Sequence, residues 1–151
     1  MPRRRRKRGK GGRPAVKTVS HDGINFRSGL EKYMYLALKK EKLFELYEGE
    51  SFELMEASTI PNRVYERQAN GKGEFKLRSS SIRSINYTPD FTGKDYIIEC
   101  KGLPNESFPL RFKMFKKLLG DLNDERAVYK PQCQKECDMV VDIIKSLRNN
   151  K

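Results

Sequence analysis

Between Ile85 and Lys101 apolar and polar side chains alternate with a period of two, and that pattern leaves few folds open. Ile85, Tyr87, Pro89 and Phe91 fall on one side and Asn86, Thr88 and Asp90 on the other, as in a half-buried strand. From Asp95 to Lys101, Tyr96, Ile98 and Cys100 share one face while Ile97, Glu99 and Lys101 share the other. That run is apolar enough on both sides to predict an interior strand. A two-residue turn at Gly93-Lys94 would pair Thr92 with Asp95, Asp90 with Ile97 and Thr88 with Glu99. In that register Asp90, Glu99 and Lys101 lie on one face, with the two carboxylates as diagonal neighbours.

Two carboxylates and a lysine held this way suit a hard divalent cation beside a phosphodiester. Mg²⁺ and Mn²⁺ bind through one or two acids while water and phosphate oxygens fill the other positions. Such an ion lowers the pKa of a bound water and offsets charge on the phosphorus centre. A lysine two residues after the second acid can orient that water or neutralise the scissile phosphate. The chain has one histidine, His21, so Ser/His and Cys/His triads have almost no material to use.

Three segments, Phe26-Arg27-Ser28-Gly29-Leu30-Glu31, Tyr87-Thr88-Pro89-Asp90-Phe91 and Glu99-Cys100-Lys101-Gly102, carry a resemblance to the PD-(D/E)XK nuclease superfamily. Within it the chain most resembles the phage endonuclease I family of Holliday-junction resolvases. The resemblance implies a restriction-endonuclease-like α/β core, a mixed central sheet flanked by helices in the order αβββαβ. It implies Glu31, Asp90, Glu99 and Lys101 as the catalytic set, with Asp90, Glu99 and Glu31 as ligands to Mg²⁺, for which Mn²⁺ would substitute. Branched DNA as substrate and an intertwined homodimer follow from the same resemblance. The stretch from Glu56 to Ser84 is longer than the family pattern. Cleavage of ordinary duplex or of a transposon end is the alternative within the same chemistry. A non-catalytic basic nucleic-acid-binding phage accessory protein is the alternative from another class.

Net charge is +12, and its distribution matters more than its size. Arg3, Arg4, Arg5, Arg6, Lys7, Arg8, Lys10, Arg13 and Lys17 sit in the first 17 residues without one acid, which leaves 23 basic against 20 acidic residues elsewhere. With Gly9, Gly11, Gly12 and Pro14 among them, residues 1–19 are predicted to be a disordered basic arm adding salt-sensitive affinity for phosphates. A solubilising end or a nuclear-localisation-like run is the simpler reading. Residues 20–151 are then the nuclease-like domain, with 62–84 as a polar hairpin insertion.

Leu30, Tyr33, Met34, Ala37 and Leu38 recur at helical spacing behind Ser28, a candidate N-cap, and Glu31, three residues on, completes a capping box. Capping and catalysis therefore compete for one carboxylate. Phe44 to Met55 predicts a strand or strand pair. Arg63–Gln68 and Glu74–Arg78 flank Ala69-Asn70-Gly71-Lys72-Gly73 as a solvent-facing hairpin whose basic residues can reach DNA. Phe108, Phe112, Phe115 and Leu119 mark a helix face, and Lys113, Lys116 and Lys117 on the opposite arc are candidate phosphate contacts. Ala127–Lys130 predicts a fourth strand, and Cys137, Val140, Ile143, Ile144 and Leu147 the apolar face of a last helix. Cys133 and Cys137 lack the second ligand pair that zinc requires and are expected to be buried thiols, as is Cys100. No even disulfide set, no ~20-residue apolar run and no apolar signal core point to a cytoplasmic protein, in the host cell if phage-encoded.

Overall fold

The computed structural model describes residues 18–150. The basic residues of the expected arm, Arg3 to Lys17, lie outside the described residues. In chain order, β1 (Val19–His21) and β2 (Ile24–Phe26) form a hairpin that leads into α1 (Gly29–Lys40). Four short strands run outward: β3 (Leu46–Tyr47), β4 (Phe52–Met55), β5 (Ser58–Thr59) and β6 (Val64–Glu66). Four return: β7 (Lys76–Arg78), β8 (Ser81–Ile82), β9 (Ile85–Tyr87) and β10 (Phe91–Thr92). Then come β11 (Tyr96–Ile98), α2 (Phe108–Asp121), β12 (Ala127–Tyr129) and α3 (Gln134–Asn149).

The core sheet is mixed, with strand order β12-β11-β10-β3. β11 pairs antiparallel with β10 and parallel with β12. A parallel neighbour requires a crossover connection, and α2 provides it. One face of the sheet carries Phe91, Tyr96, Ile98 and Cys100 into a core completed by α1 and α3. The opposite face carries Ile97 into a second core formed with Tyr87 of β9 and with Phe108, Phe112, Phe115 and Leu119 of α2. Tyr96, Ile97 and Ile98 are each completely buried, which is why this strand is apolar on both faces. The chain is thus a mixed α/β protein. Among the described residues no helix is long and apolar enough to cross a membrane.

The turn between β10 and β11 lies one residue later than its glycine suggests. Phe91 pairs with Ile98 and Thr92 with Ile97, and the Gly93 N–H donates to the Tyr96 carbonyl at 3.0 Å, so Lys94 and Asp95 form the turn rather than Gly93 and Lys94. The register moves by two residues, an even number, so every side chain keeps its face. Carried one step beyond Phe91–Ile98, it sets Asp90 opposite Glu99 instead of diagonal to it. Gly93 serves close approach here. A Cβ on it would lie 2.5 Å from the Tyr96 ring and 2.9 Å from Glu45 Oε1.

β3–β10, β4–β9, β5–β8 and β6–β7 are successive antiparallel rungs of one two-stranded excursion, with an irregularity between Glu53 and Met55. The segment from Phe44 to Met55 therefore does contain two strands, each paired with the returning chain. The hairpin expected within 62–84 is present as β6 and β7, and Gly71 and Gly73 at its end have φ of 73° and 80°, which favour glycine.

Two details of the helices differ from the periodic reading. In α3 the buried stripe is Cys137, Val140, Val141 and Ile144, whereas Ile143 and Leu147 are exposed. Packing against α1 rotates the helix toward Val141, a choice that a stripe with apolar residues on both flanks leaves open. Cys133 is exposed at the N-cap of α3, because the helical repeat that buries Cys137 does not reach back to it. Replacing Gly93 by Ala is expected to lower stability by about 1–3 kcal/mol, since the buried Tyr96 ring cannot move aside. Urea denaturation of the two proteins measures this directly.

Candidate active site

The first acid is positioned by the start of α1. Ser28 is extended, at φ −146° and ψ 160°, and its Oγ accepts from the Glu31 N–H at 3.2 Å. Ser28 Oγ in turn donates to Glu31 Oε1 at 2.8 Å, while Oε2 accepts from the Arg27 N–H at 2.9 Å and from the Tyr47 hydroxyl at 2.8 Å. Glu31 is only 5% exposed, and both its oxygens are occupied by the cap and by Tyr47. The capping role is therefore realised in the structure.

The β10–β11 hairpin brings the other two acids together. Asp90 and Glu99 are 7% and 8% exposed. The Cys100 N–H donates to Asp90 Oδ2 at 2.6 Å. Beyond β11 the chain stays tied to the segment after β12: the Glu99 N–H donates to the Tyr129 carbonyl and the Lys101 N–H to the Pro131 carbonyl, both at 3.0 Å. These bonds fix the Glu-x-Lys segment as a straight continuation of the strand, with Glu99 and Lys101 on one face and Cys100 in the core. Lys101 Nζ lies 5.0 Å from the centre of the Phe108 ring.

Burial and mutual repulsion set the electrostatics. Asp90 is pushed up to about 8, first by burial, then by the charges of Glu99 and Glu31, against the opposing Cys100 N–H. Glu99 is raised chiefly by burial, with the Tyr87 hydroxyl and Lys101 pulling the other way. Tyr87 approaches Glu99 closely enough to be felt electrostatically, yet its hydroxyl and Glu99 Oε2 are both buried outside hydrogen-bond geometry. An unpartnered buried carboxylate oxygen is costly unless a cation or donor arrives to meet it.

Glu31, Asp90, Glu99 and Lys101 all line one cleft of about 520 Å³. A neighbouring cleft of about 300 Å³ shares Glu99, Lys101 and Arg27 and adds Arg111. Among the described residues no three Asp, Glu, His or Cys side chains converge closely enough to hold a metal ion as they stand. Both Glu31 oxygens are bonded to the cap and to Tyr47. The donor chemistry nevertheless fits a hard divalent cation, because Asp90 and Glu99 are all-oxygen ligands, two acids suffice for Mg²⁺, and Glu99 Oε2 makes no well-formed hydrogen bond, with only the Tyr87 hydroxyl beside it.

Arg27, Arg111 and Glu48 also belong to this site and were not singled out by the sequence patterns. Arg27 pairs with Glu48 Oε1 at 2.7 Å, and the Glu48 N–H donates to the Asp90 carbonyl at 2.9 Å. Glu48 sits between two short strands at φ 47°, where no periodicity marks it. Arg27 lies inside the segment that ends at Glu31, and Arg111 in the first turns of the helix after Lys101, so both could have been found from their motif neighbours. Arg111 is anchored by a hydrogen bond to the Asn86 carbonyl. Lys113, Lys116 and Lys117, by contrast, are exposed on α2 and line neither cleft; Lys117 pairs with Asp121.

No protein-family model, curated protein or solved structure matches this chain.

A pH dependence follows from Asp90. Below its ordinary value of 3.8 the carboxyl is neutral in folded and unfolded chains alike, and burial costs nothing. Between 3.8 and about 8 the unfolded chain gives up the proton while the folded one keeps it, so this group's contribution to stability declines as pH rises and the loss is complete above about 8. In cation-free buffer, Asp90→Asn should therefore stabilise the protein at pH 8, on the order of a few kcal/mol, and leave stability at pH 4 nearly unchanged. Denaturant titrations at the two pH values check the sign.

Proposed function

We propose that this chain is a Mg²⁺-dependent endodeoxyribonuclease that hydrolyses phosphodiester bonds in branched DNA, in the manner of a Holliday-junction resolvase. The observation that carries this reading is the meeting of Asp90, Glu99 and Lys101 in one cleft, with both acids buried. We assign the nuclease core to α1, β3, β10, β11, α2 and β12 in that order, with the excursion from β4 to β9 as an insertion.

Asp90 and Glu99 would hold the metal, and Glu31 would join them only by giving up part of its cap. When bound, Mg²⁺ supplies a low-pKa water and charge neutralisation at the phosphorus. Lys101 would orient the nucleophilic water or neutralise the scissile phosphate. Arg27 and Arg111 line the cleft next to it and would bind the flanking phosphates. Tyr87 and the two cores close the inner wall against solvent. A resolvase nicks two opposing strands, so the reading includes a homodimer with one site per subunit.

A second reading, a basic nucleic-acid-binding protein without catalysis, is favoured by one observation: Glu31 has both oxygens committed to its cap and Tyr47. Cleavage separates the two. With Mg²⁺ and a four-way junction, Asp90→Asn, Glu99→Gln and Lys101→Ala should each lose at least about a hundredfold in rate while still binding the junction. Unchanged cleavage in Asp90→Asn or Lys101→Ala would remove the assignment. A linear duplex of equal length as competitor tests the branched substrate, and sedimentation with and without the junction tests the dimer.

A further inference from the structure

The outer end of the excursion, β6 and β7, belongs to neither core, yet it carries three large exposed apolar side chains. Tyr65, Phe75 and Leu77 are 52%, 67% and 55% exposed. Tyr65 pairs directly across the ladder with Leu77, and its ring stacks on that of Phe75 with centroids 6.5 Å apart and 29° between planes. Arg63 and Arg67 flank β6, two residues to either side of Tyr65. Between positions 60 and 84 lie Arg63, Arg67, Lys72, Lys76, Arg78 and Arg83 against only Glu66 and Glu74. Among the described residues none of those six cations pairs with a carboxylate.

An exposed aromatic pair on a cation-rich ribbon is the chemistry that binds unstacked bases: rings stack on base faces while Arg and Lys hold the phosphates. An intact duplex offers the phosphates but hides the base faces, whereas a branch point exposes the faces of its last pairs. The ribbon is also continuous with the site, since β9 runs straight into the segment that carries Asp90. The twelve residues from Asp90 back to Arg78 span at most ~40 Å when extended. That is about one helical turn of duplex, ~34 Å. We propose that the Tyr65–Phe75 face stacks on exposed bases at the branch point and so supplies the preference for branched over linear DNA, while the ribbon's cations add affinity for both. This inference rests on the branched-DNA reading above.

The test uses the full chain carrying Asp90→Asn, in EDTA, so that only binding is read. Affinities for a four-way junction and for a linear duplex of the same length are measured by fluorescence anisotropy. Adding Tyr65→Ala and Phe75→Ala should weaken junction binding roughly tenfold, the size of one missing base–aromatic stack, and change duplex binding less than about twofold. Adding Lys72→Ala and Lys76→Ala instead should weaken both DNAs alike and flatten the salt dependence by roughly 0.9 in logarithmic slope for each phosphate no longer neutralised. Equal losses on junction and duplex in the aromatic variant, or none, overturn the proposal. If sedimentation shows that the aromatic variant falls from dimer to monomer, the face belongs to a second copy of the chain, which also overturns it. Failure of the nuclease reading is recognised separately, as the absence of Mg²⁺-dependent junction cleavage by the wild-type chain.

Discussion

The pairing of β10 with β11 is the contact on which the rest of the molecule depends. β11 is buried on both faces, with Tyr96 and Ile98 reaching the helices on one side and Ile97 reaching α2 on the other. Its neighbours are therefore determined in both directions: β10 across a tight turn and β12 across a helical crossover. Because the side-chain period of a strand is two, the same pairing that seals both cores also aligns Asp90, Glu99 and Lys101. Core and site are two consequences of one register.

That arrangement has an electrostatic cost built into it. Asp90 and Glu99 are held in a mostly apolar wall, where burial and mutual repulsion oppose ionisation. Around them the fold places cations on the outer side of the cleft: Lys101 against Phe108, Arg27 against Glu48 and Arg111 against the Asn86 carbonyl. Acids inside and cations outside form the charge pattern expected where a metal and a polyanion are to be bound in sequence. The proposed nuclease activity draws on that polarity. The proposed preference for branched DNA draws on a separate part of the chain, the exposed aromatic ribbon end.

Much of the fold and site is legible in the sequence, for physical reasons that vary by element. The strands from Ile85 to Lys101 and the helices at α1 and α2 have strong periodicities, and those follow from burying one face. The Ser28–Glu31 cap is visible because capping is local chemistry between residues three apart. The turn at Lys94-Asp95 is not, since Gly93 looks like a turn residue but is needed for its missing Cβ against Tyr96. Nor is the orientation of α3, whose apolar residues span a wider arc than any one neighbour covers, nor the exposure of Cys133.

By itself, the sequence determined which side chains share a face, because alternation and helical spacing are properties of the backbone, and it determined that two acids and a lysine would stand together. Only the tertiary structure decided that Asp90 lies opposite Glu99, that Glu48 and Arg111 join them, and that Glu31 spends its oxygens on the cap and Tyr47. Those outcomes depend on contacts between residues far apart in the chain. Tyr47 reaches Glu31 only because β3 docks on β10, and Arg111 reaches the cleft only because α2 packs against Tyr87 and Ile97. No local pattern encodes such meetings, since they are settled by which apolar surfaces cover one another when the chain closes.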